Sequence, residues 1–476
     1  MFTITELSRA IHTMVANKQS AEALDFFKLH KNEVEAGQIS RNEFLIADLL
    51  TALRGIKAFD AAWQFLNIYK ITVDATTPVR ILNSYGWLLY FQYKAGVKIT
   101  NSSVNTESFT EILPVSEQIK AEELKTGALE VRIEKLMDIL KNTNDTYSTN
   151  LAEYLFKLIM HTQKTQPSTN WKYIERVCSH TDPLKLSTSC ANIQVERKGQ
   201  QKDMELASAR EEWYAMYSKA LYEAGNYKKC TEMCQLALQQ IDKMHYANEI
   251  WFERRKALCL TKTNQYKAAI EIYLQLIPRK KDWFILKELC ECYFKIGEND
   301  KALQHGRKAA CALGPINFKV ELIELVGDIL RKQNENALAN KHYRLAKVIR
   351  DAEKWKIDKV LVEKITTTSI LSDKKPDNKE TLKAELIDFW NEGVKPVTKQ
   401  TTITKPGEKI TGTITKLLPT KEAGADGFVK SDKGNSTYFF IPKNDTLFNQ
   451  LKVGLRVQYH LQPAPKGDKA IKMTML

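Results

Sequence analysis

"IELVGDILRKQNENALANKHYRLA", residues 323–346, decides how the rest of the chain is read. Ile323, Val326, Gly327 and Leu330 share one face at helical spacing, and Ala339 and Tyr343 stand four apart on a second helix. A short polar turn separates the two. The same arrangement occurs three times upstream, in "YAMYSKALYEAGNYKKCTEMCQLAL" (214–238), "ERRKALCLTKTNQYKAAIEIYLQL" (253–276) and "LKELCECYFKIGENDKALQHGRKA" (286–309). Aligned positions Tyr214, Glu253, Leu286 and Ile323 lie 39, 33 and 37 residues apart. Small side chains at Gly327, Cys290, Ala257 and Ser218 let the helices of a pair approach closely. Ala269, Ala302 and Ala339 do so from the second helix, while Tyr273 and Tyr343 fill the space between pairs. One hairpin cannot bury its apolar face alone, so stacked hairpins share a continuous core.

This pattern resembles the tetratricopeptide repeat, whose period is about 34 residues. The resemblance implies a mainly α solenoid whose first helices line a surface for extended peptides or partner helices. Lys219, Arg254, Lys262, Lys287, Lys295 and Arg331 lie where the repeat register turns inward, diluted by Glu291, Glu324 and Asp328. An acidic peptide or a nucleic-acid backbone suits such a surface; a solvated mixed-charge face is the alternative. As surface groups, Arg254 and Lys287 are expected to tolerate reversal to Glu with little loss of stability.

Outward from the array (205–352), residues 1–200 read as a divergent helical-repeat region. Ile46, Leu49, Leu53, Ala62 and Leu66 keep the spacing, and "PVRILNSYGWLLYFQYKAG" (78–96) resembles another first helix. The polar stretch from Lys98 to Thr110 reads as an insertion, and alternation around 190–207 predicts a short hairpin. Residues 353–405 read as a linker with one amphipathic helix, 379–392. Asp377 and Glu380 form its expected capping box, and Leu386, Phe389 and Trp390 its docking face.

From 406 to 476 the pattern is "KITGTITKLL", "DGFVKSD", "STYFFIPKN", "RVQYHLQPAP" and "KAIKMTML", five short strands as in an OB-type barrel. Here the chain resembles a cold-shock domain, in which outward aromatics of two ribonucleoprotein motifs stack on single-stranded bases. "DGFVK" and "YFFIP" take the places of those motifs. Lys416, Asp426 and Ile441 stand where the family carries tryptophan, phenylalanine and histidine. The resemblance therefore leaves Phe428 and Phe439 as stacking platforms, with Lys416, Lys430 and Lys443 for phosphates. Strand alternation would turn Tyr438 and Phe440 into a core with Ile414, Val429 and Val457.

Composition agrees with these partners. The 476 residues carry a net charge of +14, and from Glu392 onward fourteen Lys or Arg face seven Asp or Glu. No apolar run approaches the ~20 residues of a membrane span, and the N-terminus lacks a basic region followed by an apolar one, so a cytoplasmic protein with reduced cysteines is expected. No phosphate-loop, dinucleotide, zincin or nucleophile-elbow motif is present, and Cys230 and Cys290 fall on packing positions. Neither catalysis nor a cofactor nor a metal is expected. Two readings follow. One is an adaptor joining a protein-binding repeat scaffold to a module for single-stranded RNA or DNA, RNA being preferred. The other is a pure protein–protein scaffold whose barrel has no nucleic-acid role. The repeat-plus-barrel combination resembles accessory proteins of bacterial mobile-element and conflict systems.

Overall fold

Gly225, Asn264, Gly297 and Asn334 occupy the same point in four successive helix hairpins of the computed structural model, each with positive φ (79°, 60°, 82° and 62°). The structure describes residues 2–99, 126–197, 200–369, 377–392, 409–418, 423–432, 434, 436–462 and 469–476. The hairpins are Ala209–Glu223 with Tyr227–Gln240, Asn248–Lys262 with Tyr266–Leu276, Trp283–Lys295 with Asn299–Cys311, and Val320–Lys332 with Asn336–Ala352. At each turn the following N–H reaches back five residues, as from Asn226 to Leu221 and Glu335 to Leu330, both 2.9 Å. This is the left-handed cap that glycine and asparagine adopt most readily.

The same turn closes the first hairpins, Ile4–Ala16 with Ser20–His30 and Glu43–Gly55 with Phe59–Ile68. There lysines hold the left-handed position, Lys18 at φ 63° and Lys57 at φ 61°. Ile46, Leu49, Leu53, Ala62 and Leu66 are all buried. Helices Val79–Ile99, Thr126–Lys141, Thr146–Thr165 and Trp171–Ser179 continue the unit. The expected insertion lies outside the described residues from position 100 on. Antiparallel strands β1 (Asn192–Arg197) and β2 (Gln200–Glu205) form the expected hairpin. Packing follows the small-against-large pattern: a Cβ on Gly327 would stand 2.6 Å from the Tyr343 ring. Ser218, Ala257, Cys290, Tyr273 and Tyr343 are all fully buried.

The chain divides into two units, Met1–Val394 and Lys395–Leu476. The second is a closed barrel of β3 (Ile410–Leu417), β4 (Gly424–Ser431), β5 (Ser436–Pro442), β6 (Arg456–Gln462) and β7 (Lys469–Met475), in the order β3-β4-β5-β7-β6. The β5–β7 pairing is parallel and the others are antiparallel. Its core holds Ile414, Val429 and Val457 as expected, but Phe439, Ile441 and Tyr459 take the place of Tyr438 and Phe440.

Within the expected linker of 353–405, the described residues 353–369 and 377–392 carry two helices. Helices Lys359–Thr368 and Lys379–Glu392 belong to the first unit. Asn340 Nδ2 donates to the Ile365 carbonyl (2.8 Å) and to Thr368 Oγ1 (3.1 Å), tying down the first of these helices. In the second, Leu382, Leu386 and Trp390 are buried against the last hairpins, and Phe389 is partly buried. Asn378 rather than Asp377 caps it, accepting from the Glu380 N–H at 2.8 Å, because Asp377 pairs with Arg344.

At the heart of this contact, Trp390 Nε1–H donates to His342 Nε2 (2.9 Å), and the other ring nitrogen bonds the Leu338 carbonyl (2.7 Å). The imidazole is thus neutral with Nδ1 protonated, and burial pushes its pKa down from 6.5 to about 4. The unfolded chain binds this proton more readily, so stability is fully present above pH 6.5 and is lost as pH falls toward 4. The loss is on the order of 3 kcal/mol, at ~1.4 kcal/mol per pKa unit. Denaturant unfolding followed from pH 7 to 4 should show a shallower slope for His342→Gln than for the wild type; identical slopes would exclude this origin.

Candidate functional site

On the barrel, cross-strand register determines which aromatics face out. Gly427 lies opposite Phe439, and Phe428 lies opposite Tyr438. With no side chain, Gly427 leaves room for the inward Phe439 ring, which would stand 3.0 Å from a Cβ there. Phe439 is therefore fully buried and is no stacking platform, while Phe440 is 37% exposed. The expected pairing of Phe428 with Phe439 is one residue out of register on β5. Tyr438, assigned above to the core, is the outward partner of Phe428: their rings meet edge to face, centroids 5.9 Å apart at 70°.

The pairing continues to both sides. Lys416 on β3 pairs with Phe428, aided by a bulge after Ile414, and Lys469 on β7 pairs with Tyr438. A row Lys416–Phe428–Tyr438–Lys469 thus crosses four strands, with Lys469 Nζ 5.8 Å from the Tyr438 ring centroid. Lys430, two residues along β4 from Phe428, and Lys443, past the far end of β5, are exposed. Tyr438 Oη donates to the nearly buried Asp426 carboxylate at 2.9 Å, which places an acid beside the rings. Sequence reasoning missed Tyr438, Phe440 and Lys469; Gly427, the residue that admits an inward aromatic, was the available signal.

In the repeat array the six cations expected to turn inward fall into three groups. Arg254 chelates Glu288, with Nε at 3.0 Å from Oε2, and its guanidinium lies 4.6 Å from the Phe284 ring centroid. Lys287 pairs with Glu321. Both pairs span 34 residues, one repeat. Lys219 sits 4.4 Å from the Trp171 ring centroid, and burial lowers its pKa. Lys262, Lys295 and Arg331 are exposed in the last turns of their helices and form no ion pair among the described residues. There they complement the carbonyl ends of the helix dipoles. Trp251 and Phe284, stacked 6.0 Å apart on consecutive first helices, form an aromatic step that the charge-based reading overlooked.

Arg254 is consequently not the freely reversible surface cation expected. Glu288 is largely buried, and burial pushes its carboxyl up against the pull of the guanidinium. Arg254→Glu should cost ~3–5 kcal/mol by leaving two acids face to face. Lys287→Glu, whose partner Glu321 is 75% exposed, should cost under ~1 kcal/mol. Equal unfolding midpoints for the two variants would contradict this assignment.

No protein-family model and no curated protein matches the chain. Among solved structures it is similar to MamA (residue 41 to the end) from Desulfovibrio magneticus RS-1, at 15% identity over 42% of this chain and 96% of that one, with a TM-score of 0.30. It is similar to a tetratricopeptide repeat protein from Parabacteroides merdae ATCC 43184, at 14% identity over 77% and 98%, TM-score 0.27. It is also similar to Bacillus thuringiensis PlcR, solved with the peptide PapR7 and DNA, at 11% identity over 69% and 99%, TM-score 0.30. The repeat architecture described here rests on the chain's own hairpins rather than on these likenesses.

Proposed function

We propose that this chain is a non-enzymatic adaptor. Its repeat array holds a protein segment, and its barrel binds single-stranded nucleic acid, with RNA ahead of DNA as the expected ligand, as an accessory subunit of a nucleic-acid-processing or conflict system. The observation that carries this reading is the outward row Lys416–Phe428–Tyr438–Lys469. Aromatic rings flanked by ammonium groups are what a sequence-tolerant single-strand binder needs, stacking for bases and cations for phosphates. The strand order, with the first strand closing on the fourth and the third parallel to the fifth, supports an OB-type barrel. For the protein partner, the Trp251–Phe284 step offers apolar contact, and Lys262, Lys295 and Arg331 offer charge to an acidic segment.

Asp426 favours the second reading, a protein scaffold without nucleic-acid binding, because its carboxylate beside Tyr438 opposes phosphate. Anisotropy of short labelled single-stranded RNA and DNA with the full chain separates the two. Phe428→Ala combined with Tyr438→Ala should weaken binding by ~2–6 kcal/mol, two lost stacks, and wild-type affinity should fall steeply with salt. Phe439→Ala should instead unfold the barrel, at ~3–5 kcal/mol for a buried aromatic. No binding by the wild type to either probe at low salt leaves the scaffold reading.

A further inference from the structure

Cys190, Glu205 and His245 come from three separate segments and meet at the base of the β1–β2 hairpin. Cys190 precedes β1, Glu205 ends β2, and His245 lies between helices Tyr227–Gln240 and Asn248–Lys262. The Leu206 N–H bonds the Ala191 carbonyl at 2.8 Å and closes the hairpin base, which holds the thiol next to the carboxylate. One ligand atom from each residue lies within 4.8 Å of the others. His245 Nε2 and Glu205 Oε2 are 3.5 Å apart, about the edge of a tetrahedron built on metal–ligand bonds of ~2.1 Å.

Two features of His245 go beyond proximity. Its side chain is only 7% exposed, yet Nε2, which faces the cluster, has no hydrogen-bond partner. Its other nitrogen, Nδ1, is 2.7 Å from the fully buried Glu211 carboxylate. That carboxylate also accepts from the His245 backbone N–H and from Asn248 Nδ2, both at 2.7 Å, so it is held firmly. A carboxylate on Nδ1 places the proton there and turns the Nε2 lone pair outward, the arrangement that orients histidine toward a metal.

We propose that Cys190 Sγ, Glu205 and His245 Nε2 form a zinc site, with Glu211 as the positioning residue and water in the fourth place, which fastens the hairpin to the repeat array. Thiolate, imidazole and carboxylate together suit Zn²⁺ rather than Mg²⁺ or Ca²⁺, which prefer all-oxygen sets. On binding, the Cys190 thiol gives its proton to solvent as the metal–sulfur bond forms, so affinity rises with pH. The Lys243 ammonium, which bonds the same Glu205 oxygen, is displaced. The sequence hid the site because its ligands stand 15 and 40 residues apart, far from any paired-cysteine spacing.

The test uses the full chain, stripped with chelator and titrated with Co²⁺ and then Zn²⁺ alone. Cobalt should give a thiolate charge-transfer band with visible bands of a four-coordinate ion, and about one equivalent of zinc should quench both. Cys190→Ser should abolish the charge-transfer band, while Cys311→Ser should keep it. Glu211→Gln should retain the stoichiometry with ~10- to 100-fold weaker zinc binding. Cys190 lies outside the core, so its variant should keep the wild-type far-ultraviolet circular dichroism. Absence of a thiolate band in the wild type, or its persistence in Cys190→Ser, overturns the proposal.

Discussion

The close approach of Tyr343 to Gly327, where even a methyl group would stand 2.6 Å from the ring, is the contact on which the helical unit depends. A large residue seated over a small one fixes how near two helices lie, and repetition of that spacing fixes how far each hairpin advances. Tyr273 is buried in the same way, and Ala257 and Cys290 supply the small positions of neighbouring repeats. Hydrophobic burial drives such packing, but the small residues determine its geometry. Without a fixed advance, side chains one repeat apart would not meet.

They do meet, and this decides what the first-helix face offers a partner. Arg254 to Glu288 and Lys287 to Glu321 are the same 34-residue step, and the buried His245–Glu211 contact spans 34 residues as well. Cations in these rungs are committed to the neighbouring repeat. Arg254 is committed twice over, because its flat guanidinium also covers Phe284. On the proposed reading, what remains for a partner is the part of the Trp251–Phe284 step outside the Arg254 contact, and the cations at the C-terminal ends of the helices that form no ion pair among the described residues. An adaptor built this way would select a segment with apolar side chains between acidic ones rather than a uniformly acidic tail.

How much of this was legible depended on which residue occupied a few positions. The later hairpins announced themselves because Gly225, Asn264, Gly297 and Asn334 take the left-handed turn that favours those residue types. In the first hairpins Lys18 and Lys57 adopt the same conformation, and lysine carries no turn signal in sequence. The closing helix was visible and so was its docking face, since Leu386 and Trp390 are buried as expected. Its partner was not, because His342, which receives Trp390, lies 48 residues away. The charge ladder was invisible for a related reason: position within a repeat predicts which way a side chain points, not whether its neighbour one repeat on carries the opposite charge.

In the barrel the error was one of parity, and its correction sets Tyr438 rather than Phe439 beside Phe428. With three aromatics in a row, alternation leaves either one or two facing out, and the opposing strand decides. Gly427 accepts Phe439, so Tyr438 and Phe440 must turn outward. Tyr438 is then fixed at its hydroxyl by Asp426 and on its edge by Phe428. Rings held by such neighbours have already lost much of the rotamer freedom that binding would otherwise remove. Lys416 and Lys469 stand at the two ends of the row. A single strand lying here would therefore set its bases over Phe428 and Tyr438 and keep its backbone toward the lysines. On the proposed reading, that orientation follows from where the two ammonium groups stand.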